Sequence, residues 1–240
     1  MREDIIREWA EQNGITLTAT QLENLEAHQQ RVLTVNQQMN LTAITGPADF
    51  AVKHIIDSMT LLPYIKEGAS LIDIGTGAGF PGLVLCILRE DLRVTLLDSR
   101  NKRVEFLRQT VEELKLSGVD CIHARAEEWA RATSTRYDIC TARAVAPMDK
   151  LAKYALPLIK PGGLFLAMKG PDVSDELEKA KPALEKKGGT IEKVDTVEIA
   201  DSLHRSIVVV LKNAVPCLGS LAETRYFSGV CKISEKNKIQ

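Results

Sequence analysis

No apolar run in this chain approaches the roughly twenty residues that a helix needs to cross a bilayer, so nothing in its 240 residues reads as a membrane span. Cysteines are few. The five, Cys86, Cys121, Cys140, Cys217 and Cys231, are odd in number and scattered. Without a C-x-x-C pair they offer neither a zinc site nor a redox couple, and they read as reduced thiols, with Cys86 and Cys140 in apolar stretches expected in the core. No cluster suggests a metal. Excess charge is also missing: a formal net charge of −1 and a pI near 6.5 exclude nucleic-acid binding by bulk positive charge, leaving room only for a local patch. The opening MREDIIREWAEQ has neither the apolar core of a secretion signal nor the acid-poor face of a transit peptide, which points to the cytoplasm. Aromatic residues are scarce at 5%, and no repeat or low-complexity tract appears.

What is present is ordinary for a globular protein: 45% hydrophobic and 26% charged residues, in a length that fits one α/β domain with an extension. The extension is helical. A first helix over roughly 2–12 carries Ile5, Ile6 and Trp9 on one face and should stop at Asn13-Gly14. Thr20 and Glu23 have capping-box spacing, and Leu22, Leu25, Val32, Val35 and Met39 then recur with helical period up to Asn40. After the Gly46-Pro47 turn, Asp49 can cap a helix over about 49–62.

From residue 70 the pattern alternates. Short apolar or β-branched runs at 71–74, 94–98, 119–124, 137–143 and 164–169 are separated by helical stretches, which predicts a parallel sheet covered on both faces. A charged helix over 173–187 follows, then TIEKVDTVEI and RSIVVVLK with only a turn between, an antiparallel hairpin. Five β/α units closed by a hairpin fit a Rossmann-like methyltransferase sheet of seven strands better than a dehydrogenase.

Residues 71–82 read LIDIGTGAGFPG and admit two registers. Gly77, Gly79 and Gly82 form the G-x-G-x-x-G of dinucleotide binders, whereas Asp73, Gly75, Gly77 and Gly79 form the acid-x-G-x-G-x-G of enzymes that use S-adenosylmethionine. Pro81 suits a first helical position, which makes Gly82 a residue of close helix–sheet packing. Asp98 ends the second strand, where a carboxylate either accepts the ribose hydroxyls or caps the helix starting near Arg100. Ala126-Glu127 stands where such folds hold the adenine edge, unless Glu127 only stabilises its own helix's first turn.

Taken together, NLTAIT (40–45), HIIDSM (54–59), DIGTGAGFPG (73–82), LLDSRNKRVEFL (96–107), ARAEEW (124–129), TARAVAPM (141–148), LPLIKPGG (156–163) and MKG (168–170) resemble the ribosomal RNA small-subunit methyltransferase G family, also called glucose-inhibited division protein B, over roughly residues 1–212. The resemblance implies a helical extension over 1–65, a class I methyltransferase domain over 66–212 and an atypical tail over 213–240, where the family's Pro-, Lys- and Arg-rich ending is not matched. It implies methyl transfer from S-adenosylmethionine to N7 of one guanine in the 530 loop of bacterial 16S RNA, with the small ribosomal subunit as partner; separately, the chain is expected to be a monomer. Carried over by position, cofactor contacts fall on Gly75, Phe80, Ala126, Glu127 and Arg143, with Asp98 at the ribose. Phe80 either covers the cofactor or packs as a staple, and Arg143 either lies near the methyl donor or forms a surface salt bridge.

Asn40, His54, Asp57, Ser58, Arg143 and Lys169 are candidates on the substrate side, with Asn40, Asp57 and Arg143 the candidate catalytic groups. Each has a plainer reading, Asn40 as a helix end and His54 with Asp57 as a local pair. Arg100, Lys102, Arg103 and Arg108 form either an RNA-facing patch or a solvated helix face. TARAVAP agrees with N7 chemistry by what it lacks. It has neither the Asn/Asp-Pro-Pro-aromatic turn of amino-group methyltransferases nor the Pro-Cys of cytosine-C5 enzymes. Two rivals remain at this stage, an NAD oxidoreductase and an inactive methyltransferase-like assembly factor.

Overall fold

The computed structural model describes residues 1–200 and 203–214. Two helices open the chain, α1 (Glu3–Gln12) and α2 (Ala19–Met39), and α1 stops at Asn13 as its Asn-Gly pair predicts. α2 starts earlier than expected. Its capping box is closed by Thr18 and Gln21, not by Thr20 and Glu23: the Thr18 hydroxyl accepts the Gln21 N–H at 3.2 Å, and the Gln21 side chain accepts the Thr18 N–H at 2.9 Å. Both pairs satisfy the same spacing rule, so sequence offers no preference between them. The buried stripe of α2 is Leu22, Leu25, His28, Gln29 and Val32.

The next helical stretch begins at Pro47 rather than Asp49, because a proline's fixed φ suits the first helical position after Gly46. Asp49 instead pairs with Lys53 one turn on, at 2.7 Å. The stretch runs as α3 (Pro47–Phe50), a π-helical segment π1 (Ala51–Ile56) and α4 (Asp57–Met59), ending short of the expected residue 62. π turns are rare and concentrate at functional sites, and this one carries His54.

The strands β1 (Ser70–Ile74), β2 (Arg93–Asp98), β3 (Val119–His123), β4 (Tyr137–Arg143), β5 (Ile159–Lys169), β6 (Gly189–Ala200) and β7 (Leu203–Lys212) form one sheet in the order β3-β2-β1-β4-β5-β7-β6. β1 to β5 pair in parallel, and β7 inserts antiparallel between β5 and β6. β5 begins at Ile159, ahead of the expected residue 164, by pairing with Tyr137 before a register shift. The helices α5 (Gly82–Leu88), α6 (Asn101–Glu113), α7 (Ala126–Ala132), α8 (Met148–Ala155) and α9 (Ser174–Lys186) connect the strands. α5 begins one residue later than expected, with Pro81 as its N-cap.

Alternation along the strands divides the core in two. Leu71, Leu96, Leu166 and Val209 face a cluster built with Ile6, Leu25, Phe50 and Leu83, so the N-terminal helices share a core with the sheet. Ile72, Ile74, Phe165 and Val208 face the other cluster, with Met148, Leu151, Leu158 and Leu184. Burial on both faces explains why the strands read as continuous apolar runs. Cys86 and Cys140 are buried as expected, whereas Cys217, Cys231 and the tail from residue 215 on fall outside the described residues. No described helix is long and apolar enough to cross a membrane.

Candidate functional site

Strand order reverses between β1 and β4, and in an open α/β sheet ligands bind beyond the carboxyl ends of the strands at such a switch point. The loop 75–81 after β1 and the loop 144–147 after β4 meet there. A cavity of about 260 Å³ lies beside them, lined by Gly75, Asp98, Ser99, Ala126, Glu127 and Val145 among others. A second of about 780 Å³, lined by Val145, Ala146, Lys169, Asp172 and Glu176, lies on the far side of Val145. The 630 Å³ cavity around Tyr64, Asp138 and Lys160 is at the opposite end of β1 and β4, away from both loops.

Asp73 sits at the end of β1 but does not reach either cavity. It is fully buried, and its carboxylate accepts the Gly82 N–H at 2.9 Å and the Thr141 hydroxyl at 2.9 Å. Burial pushes this carboxyl above the usual range, and the donors around it oppose that. The expected cofactor contact is therefore a brace that ties β1, β4 and the start of α5 together under the loop. Gly82 completes the brace: a Cβ there would meet Leu96 at 2.6 Å and Asp73 at 2.8 Å. The third glycine of the G-x-G-x-x-G register is thus held by packing.

Gly75 and Gly77 hold φ of +68° and +61°, the left-handed region that side chains disfavour. A Cβ on Gly77 would meet nothing nearer than 3.9 Å, so at that position the loop presents bare backbone to open space, whereas a Cβ on Gly75 would meet Val145 at 2.8 Å. Asp98, 3% exposed, meets the helix-start reading of a strand-end acid, with Oδ1 accepting the Arg100 N–H at 2.8 Å ahead of α6, while Oδ2 accepts the Gly77 N–H at 3.1 Å. Two carboxylate oxygens have about four acceptor positions, so capacity remains for a ligand's hydroxyls. The bare glycine backbone, an acid at the second strand's end and the Ala126-Glu127 wall fit the nucleoside half of S-adenosylmethionine.

Arg143 is no surface salt bridge. Its guanidinium, 18% exposed, donates to the fully buried Asp57 carboxylate at 2.9 Å, to the Lys53 carbonyl at 2.9 Å and to His54 Nδ1 at 3.0 Å. His54 Nε2 then faces the Thr42 hydroxyl of the NLTAIT segment at 2.8 Å. Burial first, and the positive Arg143 second, push His54 down to about 3, so the ring is neutral and free to accept from Arg143. Phe80 stacks on His54 with centroids 4.3 Å apart and planes 5° off parallel, and Arg143 lies 5.2 Å from its centroid. At 4% exposure Phe80 is a packed ring in this cluster.

The structure thus brings Arg143, His54, Asp57 and Phe80 together, and separates Asn40 from them. Asn40 is the exposed left-handed end of α2 with φ +48°, the plainer of its two readings. The Ser58 hydroxyl donates to the His54 carbonyl and is fully buried. Lys169 donates to Glu176 at 2.7 Å and to the Ala146 carbonyl at 2.9 Å, anchoring the 144–147 loop. Arg103 leans toward Asp98 at 3.5 Å, while Arg100, Lys102 and Arg108 are exposed.

Sequence reasoning missed three participants. Arg205 reaches Asp57 from β7 at 3.2 Å and gives no local signal. Val145 separates the two cavities. His28 bonds to the glycine loop at Ala78, and a histidine on the apolar stripe of α2 was a visible clue.

A mostly parallel seven-stranded sheet with β7 antiparallel between β5 and β6, and a bare glycine loop after β1, defines a Rossmann-like methyltransferase. Solved structures share that fold: a methyltransferase from Pyrococcus furiosus (TM-score 0.53, 16% identity, 80% of this chain and 99% of that one) and MtNAS in complex with MTA and tNA (TM-score 0.55, 15% identity, 79% and 71%). The family model described as rRNA small subunit methyltransferase G matches residues 21–208, and the chain belongs to that family. Relatives named ribosomal RNA small subunit methyltransferase G include those of Alkaliphilus metalliredigens, 39% identical over 211 residues (85% of this chain, 88% of the relative), and Clostridium kluyveri, 45% over 181 residues (74% and 76%). Membership removes the NAD oxidoreductase reading.

Proposed function

We propose that this chain transfers a methyl group from S-adenosylmethionine to N7 of a guanine in the 530 loop of bacterial 16S RNA. The observation that carries the reading is the meeting of the two cavities at Val145, one beside Gly75, Asp98 and Glu127, the other beside Lys169 and Glu176. Family membership supplies the class of substrate.

When bound, S-adenosylmethionine supplies an electrophilic methyl group. Gly75 and Gly77 would offer it backbone, Asp98 would accept the ribose hydroxyls, and Ala126-Glu127 would border the adenine. Guanine N7 has a free lone pair in the neutral base, so no residue has to remove a proton. Catalysis then rests on alignment, an orientation effect of several kcal/mol or more. Arg143, fixed by Asp57, Lys53 and His54, holds the end of β4 in place beside that alignment. Buried Asp57 and Ser58 act through Arg143 and His54 rather than on the base. The exposed Arg100 and Lys102 suit phosphate contacts, which position RNA without reading it.

The deciding experiment is labelled methyl transfer to small ribosomal subunits from a strain that lacks the modification, followed by mapping of the base. One 7-methylguanine in the 530 loop is expected. Absence of turnover with intact cofactor binding would instead make the chain an inactive assembly factor.

A further inference from the structure

His28 takes no part in the chemistry above, yet it is a fully buried titratable group bonded to the cofactor loop. It is fully buried on α2, and its Nε2 lies 2.8 Å from the Ala78 carbonyl, fifty positions along the chain. A carbonyl only accepts, so Nε2 carries the proton and donates; Nδ1, buried and with no partner among the described residues, holds the lone pair. The His28 ring also packs on Phe80, with centroids 5.0 Å apart, while His54 stacks on Phe80 at 4.3 Å.

Other hydrogen bonds hold this loop through its N–H groups: Gly75 and Thr76 donate to the Leu97 carbonyl at 2.7 and 3.2 Å, and Gly77 to Asp98 at 3.1 Å. Between Gly75 and Phe80 the turn is closed by Gly79 and Phe80 N–H groups donating to the Thr76 carbonyl at 2.9 and 3.0 Å, which leaves the Ala78 carbonyl pointing away from the turn's own donors. His28 is the donor that fixes it. Buried carbonyls left without a donor are costly, and a loop with three left-handed glycines has many other shapes available.

We infer that His28 is a positioning residue for the cofactor: its Nε2–H holds Ala78, and its ring holds Phe80, so that the bare backbone of Gly75 and Gly77 is shaped for S-adenosylmethionine before the ligand arrives. The helical extension is then part of the cofactor site. This rests on the reading that the loop binds S-adenosylmethionine, and it goes beyond it by assigning the loop's shape to a helix outside the methyltransferase sheet. Preorganisation of this kind raises affinity by removing the cost of ordering on binding.

The test uses the full chain with His28→Phe, which keeps a packed ring without the donor, and His28→Gln, which restores a donor. In His28→Phe, amide exchange of Gly79 and Phe80 in the free protein should quicken at least tenfold, and calorimetry should show S-adenosylhomocysteine binding about tenfold weaker, the order of one lost hydrogen bond. The KM for cofactor should rise with kcat and the KM for subunits little changed, and His28→Gln should recover most of both effects. Loop exchange and affinity unchanged in His28→Phe would overturn the inference, as would His28→Gln behaving like His28→Phe. Should His28→Phe fail to fold, the imidazole ¹⁵N spectrum of the wild type decides: a proton on Nε2 and a shift on adding S-adenosylhomocysteine support it, and a proton on Nδ1 overturns it. If even the wild type binds no S-adenosylhomocysteine, the functional reading fails, while the exchange rates still report whether His28 shapes the loop.

Discussion

Arg143 and Asp57 stand 2.9 Å apart, joining the end of β4 to the helical stretch just after π1, and Arg205 meets the same carboxylate from β7 at 3.2 Å. A carboxylate with no exposed surface depends on those two cations. Removing one partner of a buried pair is far more damaging than its net worth suggests, because the other charge is left without compensation. Arg143→Ala should therefore abolish methyl transfer and also lower stability by about 3 kcal/mol. Adding Asp57→Asn to it should recover part of that stability but none of the activity, as read by urea unfolding. A simple sum of the two single losses would show that the residues act independently.

Asp98 holds the Gly77 and Arg100 N–H groups with its two oxygens. Asp98→Ala should weaken S-adenosylhomocysteine binding at least about tenfold, counting one charge-assisted hydrogen bond. Calorimetry with unchanged affinity would remove it from the ribose.

The glycine stretch shows how far the sequence could be read. Its position after β1, the strand alternation and the terminal hairpin follow from apolar periodicity and turn residues, which are local. Asp73 was visible as an acid before Gly75, but its direction was not, because that depends on Thr141 from β4 and Gly82 from α5. Arg205 and His28 enter the site only through long-range packing. The early start of α2 was undecidable for another reason: Thr18/Gln21 and Thr20/Glu23 are equally good boxes.

Gly82 has no left-handed φ to protect, so its role is purely one of space. Gly82→Ala drives a methyl group to 2.6 Å from Leu96 and 2.9 Å from an Asp73 oxygen. Overpacking of this kind costs about 1–3 kcal/mol. Gly170→Ala, where nothing lies within 4 Å of the new Cβ, should be nearly neutral. Equal melting temperatures for the two variants would contradict the packing role.

Two buried histidines make a contribution of definite sign to the pH dependence of stability. Burial pushes His28 down to about 4; burial, then Arg143, push His54 down to about 3. Unfolded, each titrates near 6.5, so between that pH and about 4 the unfolded chain binds more protons and stability falls as the solution is acidified. The His28 share is on the order of 3 kcal/mol by pH 4. Asp138 is separable from this: burial raises it, but Lys160 and Ser70 hold it at about 2, so its contribution is lost only at lower pH. Urea midpoints measured from pH 7.5 to 4.5 should slope downward with acid, and His28→Gln should flatten the slope. A slope unchanged by that substitution would mean that His28 is already protonated in the folded state.

Val145 stands between the two cavities with its methyl groups against the glycine loop, so close that a Cβ on Gly75 would lie 2.8 Å from one and 3.3 Å from the other. Ala144 beside it has φ +53°, an unusual conformation for a residue with a side chain. On the proposed function, a methyl group passing from a nucleoside in the first cavity to a base in the second would have to pass this residue. Gly75→Ala should therefore weaken S-adenosylhomocysteine binding through two effects, collision with Val145 and a side chain forced into left-handed backbone at +68°. Val145→Ala in the same chain removes the first effect and leaves the second, which costs about 1–2 kcal/mol. The double variant should thus bind more tightly than Gly75→Ala alone and remain weaker than Val145→Ala alone. If the double variant binds no better than Gly75→Ala, the two side chains do not collide, and Val145 is not the partition between the cofactor and the base.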